Sequence, residues 1–73
     1  MERMTVQIHT EFIKLDALLK YAGVVQTGGQ GKELIASGSV FLNDEVCTMR
    51  GKKICPGDLV RIDDRMIEVK REN

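Results

Sequence analysis

The residues of this 73-residue chain best suited to chemistry lie in two short runs, Thr27-Gly28-Gly29-Gln30-Gly31-Lys32 and Arg50-Gly51-Lys52-Lys53. In the first, Thr27 is a good helix-capping residue set before three glycines in four positions and a lysine. Each glycine costs a helix interior about 1 kcal/mol against alanine, so their use here calls for another reason. Glycine lets a second group approach the backbone closely, and the start of a helix presents unpaired N–H groups at the positive end of its dipole. That combination binds anions. The second run is a compact cluster of cations that the glycine-rich start could face across the fold, although on charge alone a loop of solvated surface lysines is the favoured reading.

Other chemistries find little support. His9 is the sole histidine, has no nucleophile motif beside it and reads as an exposed strand residue. Cys47 and Cys55 lack the Cys-x-x-Cys spacing of a thiol-redox pair and, with His9, share no recognised metal-ligand spacing. A reducing compartment keeps both as thiols, and packed spectators are the expected role. No enzyme, metal site or cofactor is expected.

Length and composition agree with a small binding module. Seventy-three residues suffice for one domain, 1–73, with a single core. A 42% hydrophobic and 30% charged composition is that of an ordinary globular chain, and three aromatics (Phe12, Tyr21, Phe41) argue against an aromatic cage or a pocket for a small-molecule substrate. Eleven basic and eleven acidic residues cancel, so attraction to a polyanion must come from local clustering. Residues 14–53 carry a slight basic excess, six (Lys14, Lys20, Lys32, Arg50, Lys52, Lys53) against four. No stretch reaches the roughly 20 apolar residues of a membrane span, and Met-Glu-Arg-Met-Thr lacks the order of a signal peptide; a cytoplasmic protein without membrane contact is expected.

The elements that must position these residues follow from periodicity. Val6 and Ile8 alternate within Thr5–His9 as a short strand. The period changes at Phe12: Leu15, Leu18, Leu19 and Ala22 share one face of a two-turn helix, with Gly23 as its left-handed end. Tyr21, beside that face, is expected to pack at the core or its edge. A second helix starts at the Thr27 cap and stops at Ser37-Gly38. Val40–Leu42 and Val46–Thr48 form a hairpin about Asn43-Asp44-Glu45, with Met49–Lys53 as a basic loop. After the turn Pro56-Gly57-Asp58, Val60 and Ile62 define one strand; Asp63-Asp64-Arg65 reverses the chain, and Ile67 and Val69 define a last strand paired with it. The sum is an α+β fold, two short helices on one side of a small, mostly antiparallel sheet of about four or five strands.

Three blocks in this order, Ile13-Lys14-Leu15-Asp16-Ala17-Leu18-Leu19-Lys20, Gly38 to Val46, and Pro56-Gly57-Asp58-Leu59-Val60, resemble the alpha-L RNA-binding motif, the S-four-type domain named after the fourth small-subunit ribosomal protein. The match runs from Phe12 to Ile62, and the two glycine-containing basic runs look like its short stand-alone bacterial branch. The resemblance implies that structured RNA, ribosomal or transfer RNA or a ribosomal particle, binds along the first helix's amino end, the second helix and the following loop. The corresponding positions are Lys14, Lys20, Thr27, Gly28, Gly29, Gln30, Lys32, Asn43, Arg50, Lys52 and Lys53. Many members carry arginine at the place of Lys14 and Ser-Arg where this chain has Gly28-Gly29, which shifts the work to backbone N–H groups and lysine charge. Relatives that are enzymes carry this domain beside a catalytic part that nothing here resembles. Absence of stacking aromatics suits RNA read by shape and phosphate. The rival reading is a protein-interaction module docking on a ribosomal or assembly protein through its sheet edge, favoured by the neutral net charge.

Overall fold

The structure is a computed structural model that describes residues 2–72; Met1 and Asn73 lie outside the described residues. The chain runs β1 (Glu2–Ile8), β2 (Ile13–Lys14), α1 (Leu15–Tyr21), α2 (Gly28–Ala36), β3 (Val40–Leu42), β4 (Glu45–Val46), β5 (Lys53–Ile54), β6 (Leu59–Ile62) and β7 (Arg65–Arg71). Five strands form a sheet in the order β1-β7-β6-β3-β4, antiparallel throughout except for the β1–β7 pair, and β2 and β5 form a separate two-stranded ladder. This is the expected α+β class.

Alternation in the strands sets the layers. Val6 and Ile8 of β1, Ile67 and Val69 of β7, Val60 and Ile62 of β6 and Val40 of β3 all turn to one face and are buried. Registers align them in rows, Val6 with Val69, Ile67 with Val60, and Ile62 with Val40. Leu15, Leu18 and Leu19 of α1 and Ile35 of α2, each fully buried, cover that face and complete one core. Burying a side chain of this size contributes about 1.5–3 kcal/mol, so these aliphatic contacts hold the domain.

The helix ends are where local chemistry and structure agree most closely. Gly23 adopts φ +79°, its N–H reaches the Lys20 carbonyl and the Val24 N–H reaches that of Leu19, the paired closure of a Schellman ending. Gly38, at φ +81°, ends α2 with the inner of these two bonds, donating to the Ile35 carbonyl, while the Leu34 carbonyl accepts from the Ser37 hydroxyl. The β3–β4 turn is two residues rather than three: Asn43 (φ 50°) and Asp44 (φ 70°) both take the left-handed region, and Glu45 already pairs with Leu42. Asn43 locks the turn, its Oδ1 accepting from Leu59 N at 3.0 Å and its amide donating to Asp58 at 3.2 Å.

Several expectations are corrected. The first helix starts at Leu15, and Ile13–Lys14 is a strand, because Ile13 pairs with the fully buried Ile54 across the β2–β5 ladder and holds Lys14 extended. The first strand begins at Glu2 rather than Thr5 and ends before His9, since β7 offers partners along its whole length. Cys47 and Thr48 leave the sheet after Val46; of that run only the Cys47 N–H still reaches back, to the Val40 carbonyl. Of the two cysteines, Cys47 is half-buried and packs against the core as expected, whereas Cys55, the residue following buried Ile54, is exposed. Tyr21 is 64% exposed, because Leu15, Leu18, Leu19 and Ala22 already occupy the inward stripe of α1.

Leu18→Ala should lower unfolding free energy by about 2–5 kcal/mol in urea denaturation, since its side chain is fully enclosed. A loss below half a kcal/mol would mean that this face of α1 is not a core face.

Candidate nucleic-acid interface

The small β2–β5 ladder assembles the site. It sets Lys14 directly opposite Lys53, two like charges on neighbouring strands, an arrangement that destabilises a sheet unless an anion lies nearby. Just beyond it, the Leu15 N–H donates to the Lys52 carbonyl at 2.9 Å and the Asp16 N–H to that of Arg50 at 3.1 Å. The basic loop is thereby sewn along the start of α1. These bonds also occupy the amino end of α1, and the Asp16 carboxylate accepts from Ala17 N at 2.7 Å, so this helix start offers an incoming anion the Lys14 side chain rather than free backbone.

The start of α2 is different. Thr27 Oγ1 accepts from Gln30 N at 3.1 Å, and Gln30 Oε1 reaches back to Gln26 N at 2.8 Å, a reciprocal cap that fixes the first turn. Among the described residues, the N–H groups of Gly28 and Gly29 have no acceptor. A Cβ at Gly28 would meet nothing within 4 Å, and one at Gly29 only the Thr27 hydroxyl at 3.9 Å, so packing inside the chain does not call for glycine at either position. Gly31 has an internal reason. It is buried, and a Cβ there would touch Val25 at 3.5 Å and the Asp16 carbonyl at 3.7 Å, which brings the start of α2 against the start of α1.

Lys14, the Gly28–Lys32 turn and Arg50–Lys53 therefore converge around Asp16. All five basic side chains in this group are exposed, and none has a carboxylate within salt-bridge distance among the described residues. Such a ledge of cations beside two free N–H groups can hold phosphate oxygens by direct donation and by charge. Two expected members stand apart. Lys20, in the last turn of α1, lines a separate shallow groove with His9 and Tyr21. Asn43 has both ends of its amide engaged in the β3–β4 turn.

Phe12, which is not among the expected site residues, lies beside this ledge. The Lys53 ammonium sits 4.9 Å from the Phe12 ring centroid, a cation–π contact that narrows the lysine's conformations. The only signal for it was an aromatic residue just ahead of the helix, with no inward-facing position to fill.

The comparisons with known proteins bear on this geometry. The S4 domain family matches the chain over residues 6–70. The probable ribosome maturation protein RlbA of Bacillus subtilis (strain 168) is 41% identical over 58 residues, covering 80% of this chain and 82% of that protein.

Replacing Gly28 and Gly29 together by alanine should raise the unfolding free energy by about 0.5–1 kcal/mol per site, because nothing in the fold opposes a Cβ at either. Urea denaturation of the double variant measures this, and a destabilised protein would contradict an unstrained glycine start.

Proposed function

The chain belongs to the S4 domain family, and from that membership we propose that it is a non-catalytic protein that binds structured RNA, in a ribosomal setting, by holding phosphates on the ledge between the start of α2 and the basic loop. The carrying observation is the pair of uncommitted N–H groups at Gly28 and Gly29, beside a ledge on which Lys14 and Lys53 face each other without a carboxylate. Two glycines that lower helix stability and a like-charged cross-strand pair are both unfavourable for folding alone, and both are relieved by a bound phosphate backbone. The resemblance to a probable ribosome maturation protein supports ribosomal RNA or a precursor particle as the partner and the cytoplasm as the place of action. No helix among the described residues is long and apolar enough to cross a membrane.

The rival reading, docking on a ribosomal or assembly protein, has one observation in its favour: β1 is a seven-residue edge strand, its outer side bordered by an open groove that carries exposed Tyr21. The two readings separate on salt. Phosphate binding weakens steeply as salt rises, because bound cations release counterions from the RNA.

Binding of the whole chain to a structured ribosomal RNA fragment and to duplex DNA, across a salt series, is the test. We expect RNA to be preferred with a clear negative salt slope. Lys52→Glu with Lys53→Glu should weaken RNA binding and lower the salt slope by about 2, one per lysine, while leaving the thermal midpoint unchanged or slightly raised, since Lys53→Glu turns the like-charged pair with Lys14 into an opposite-charged one. Unchanged affinity in the folded double variant would remove the loop from the site, and absence of RNA binding at low salt would turn the reading to the protein partner.

A further inference from the structure

The helices cover one face of the five-stranded sheet and leave the other open. Strand registers align Arg3 of β1, Met66 of β7, Arg61 of β6, Phe41 of β3 and Val46 of β4 in a single transverse row across that open face. At the centre of the row the Arg61 guanidinium lies over the Phe41 ring, 4.3 Å from its centroid. A guanidinium centred over an aromatic ring keeps its outward side and its edge donors open. Arg61 has no carboxylate within salt-bridge distance among the described residues, whereas Glu68, the acidic residue of this face, is taken up by Arg3 at 3.4 Å. With Lys70 alongside, the face carries three cations against one carboxylate, in a protein whose total charge is zero.

We infer that the open face of the sheet is a second RNA surface, one that takes an unpaired, single-stranded segment. A nucleobase would stack on the outer face of the Arg61 guanidinium, making a three-layer stack with Phe41 beneath, while Arg61 edge donors and Lys70 meet flanking phosphates. Bases splayed from single strands stack on arginine planes and aromatic rings, and an open sheet is a known platform for such stacking. Charge complementarity favours a polyanion here over an apolar partner. The surface lies on the side of the sheet away from the helices, so one molecule would hold a folded RNA element on one side and a loose strand on the other.

The test uses the whole chain and two probes, a fluorescein-labelled single-stranded oligouridine and a base-paired RNA hairpin without a long loop, read by anisotropy. Arg61→Ala should weaken oligouridine binding about tenfold, with hairpin affinity unchanged. Arg61→Lys, which keeps the charge but not the plane, should lose most of the same factor, and Phe41→Leu, which preserves an apolar residue in the strand, several-fold. Thermal midpoints identify any variant that fails to fold; the conservative pair, Arg61→Lys and Phe41→Leu, then decides the matter. Conversely, Lys52→Glu with Lys53→Glu should weaken the hairpin and spare the oligouridine, which separates failure of this surface from failure of the helix-side ledge. Equal oligouridine affinity in the wild type and Arg61→Ala would overturn the inference, as would absence of oligouridine binding to the wild type at low salt. Retention of a protein partner by the wild type and not by Arg61→Ala, without single-strand binding, would likewise overturn it.

Discussion

Two backbone hydrogen bonds, Leu15 N–H to the Lys52 carbonyl and Asp16 N–H to the Arg50 carbonyl, govern the arrangement of the rest. A helix must find partners for its first N–H groups, and α1 finds them in a loop far along the chain. The helix start thus becomes the anchor of that loop. Ile13 and Ile54 bury the apolar side of the junction, and Lys14, Arg50, Lys52 and Lys53 are left on its outer side with nowhere to turn but solvent. The same bonds explain an asymmetry between the two helices. Loop carbonyls close the start of α1, whereas the start of α2 keeps the Gly28 and Gly29 donors, and Gly31 lets the two starts meet.

Much of the frame was legible from spacing. The inward stripe of α1, the left-handed end at Gly23, the Thr27 cap and the alternation of β6 and β7 are local signals, each written within a few residues. The β2–β5 ladder was not legible, because two residues on each side carry no readable period and its partners are brought together only by the tertiary fold. Parallel pairing of β1 with β7 was hidden for a similar reason: alternation marks a strand and its inner face, but not its neighbour. For the site, residue types pointed to the glycine start and the basic loop. Their meeting around Asp16, the closure of the α1 start and the part played by Phe12 needed the fold.

Stability and the proposed binding role pull against each other at this ledge. Gly28 and Gly29 weaken a nine-residue helix that has little intrinsic stability to spare, and Lys14 faces Lys53 without an intervening carboxylate. A small domain tolerates this because the same ladder sends Ile13 and Ile54 inward to the aliphatic core and only its lysines outward. Because the charged side chains of the ledge are exposed, they can vary while the packed layers beneath them stay as they are.

The pairing of β1 with β7 reaches beyond architecture into the order of synthesis. The strand made first among these elements takes its place only when the strand made last has left the ribosome, since β7 separates β1 from every other strand of the sheet. Helices and hairpins can form as they emerge, but the edge of the sheet closes last, over the longest loop in the chain. Until then Val6 and Ile8, destined for the core, remain unsheltered on a nascent chain, so a stalled or truncated product lacking the final strand would be sticky rather than merely incomplete.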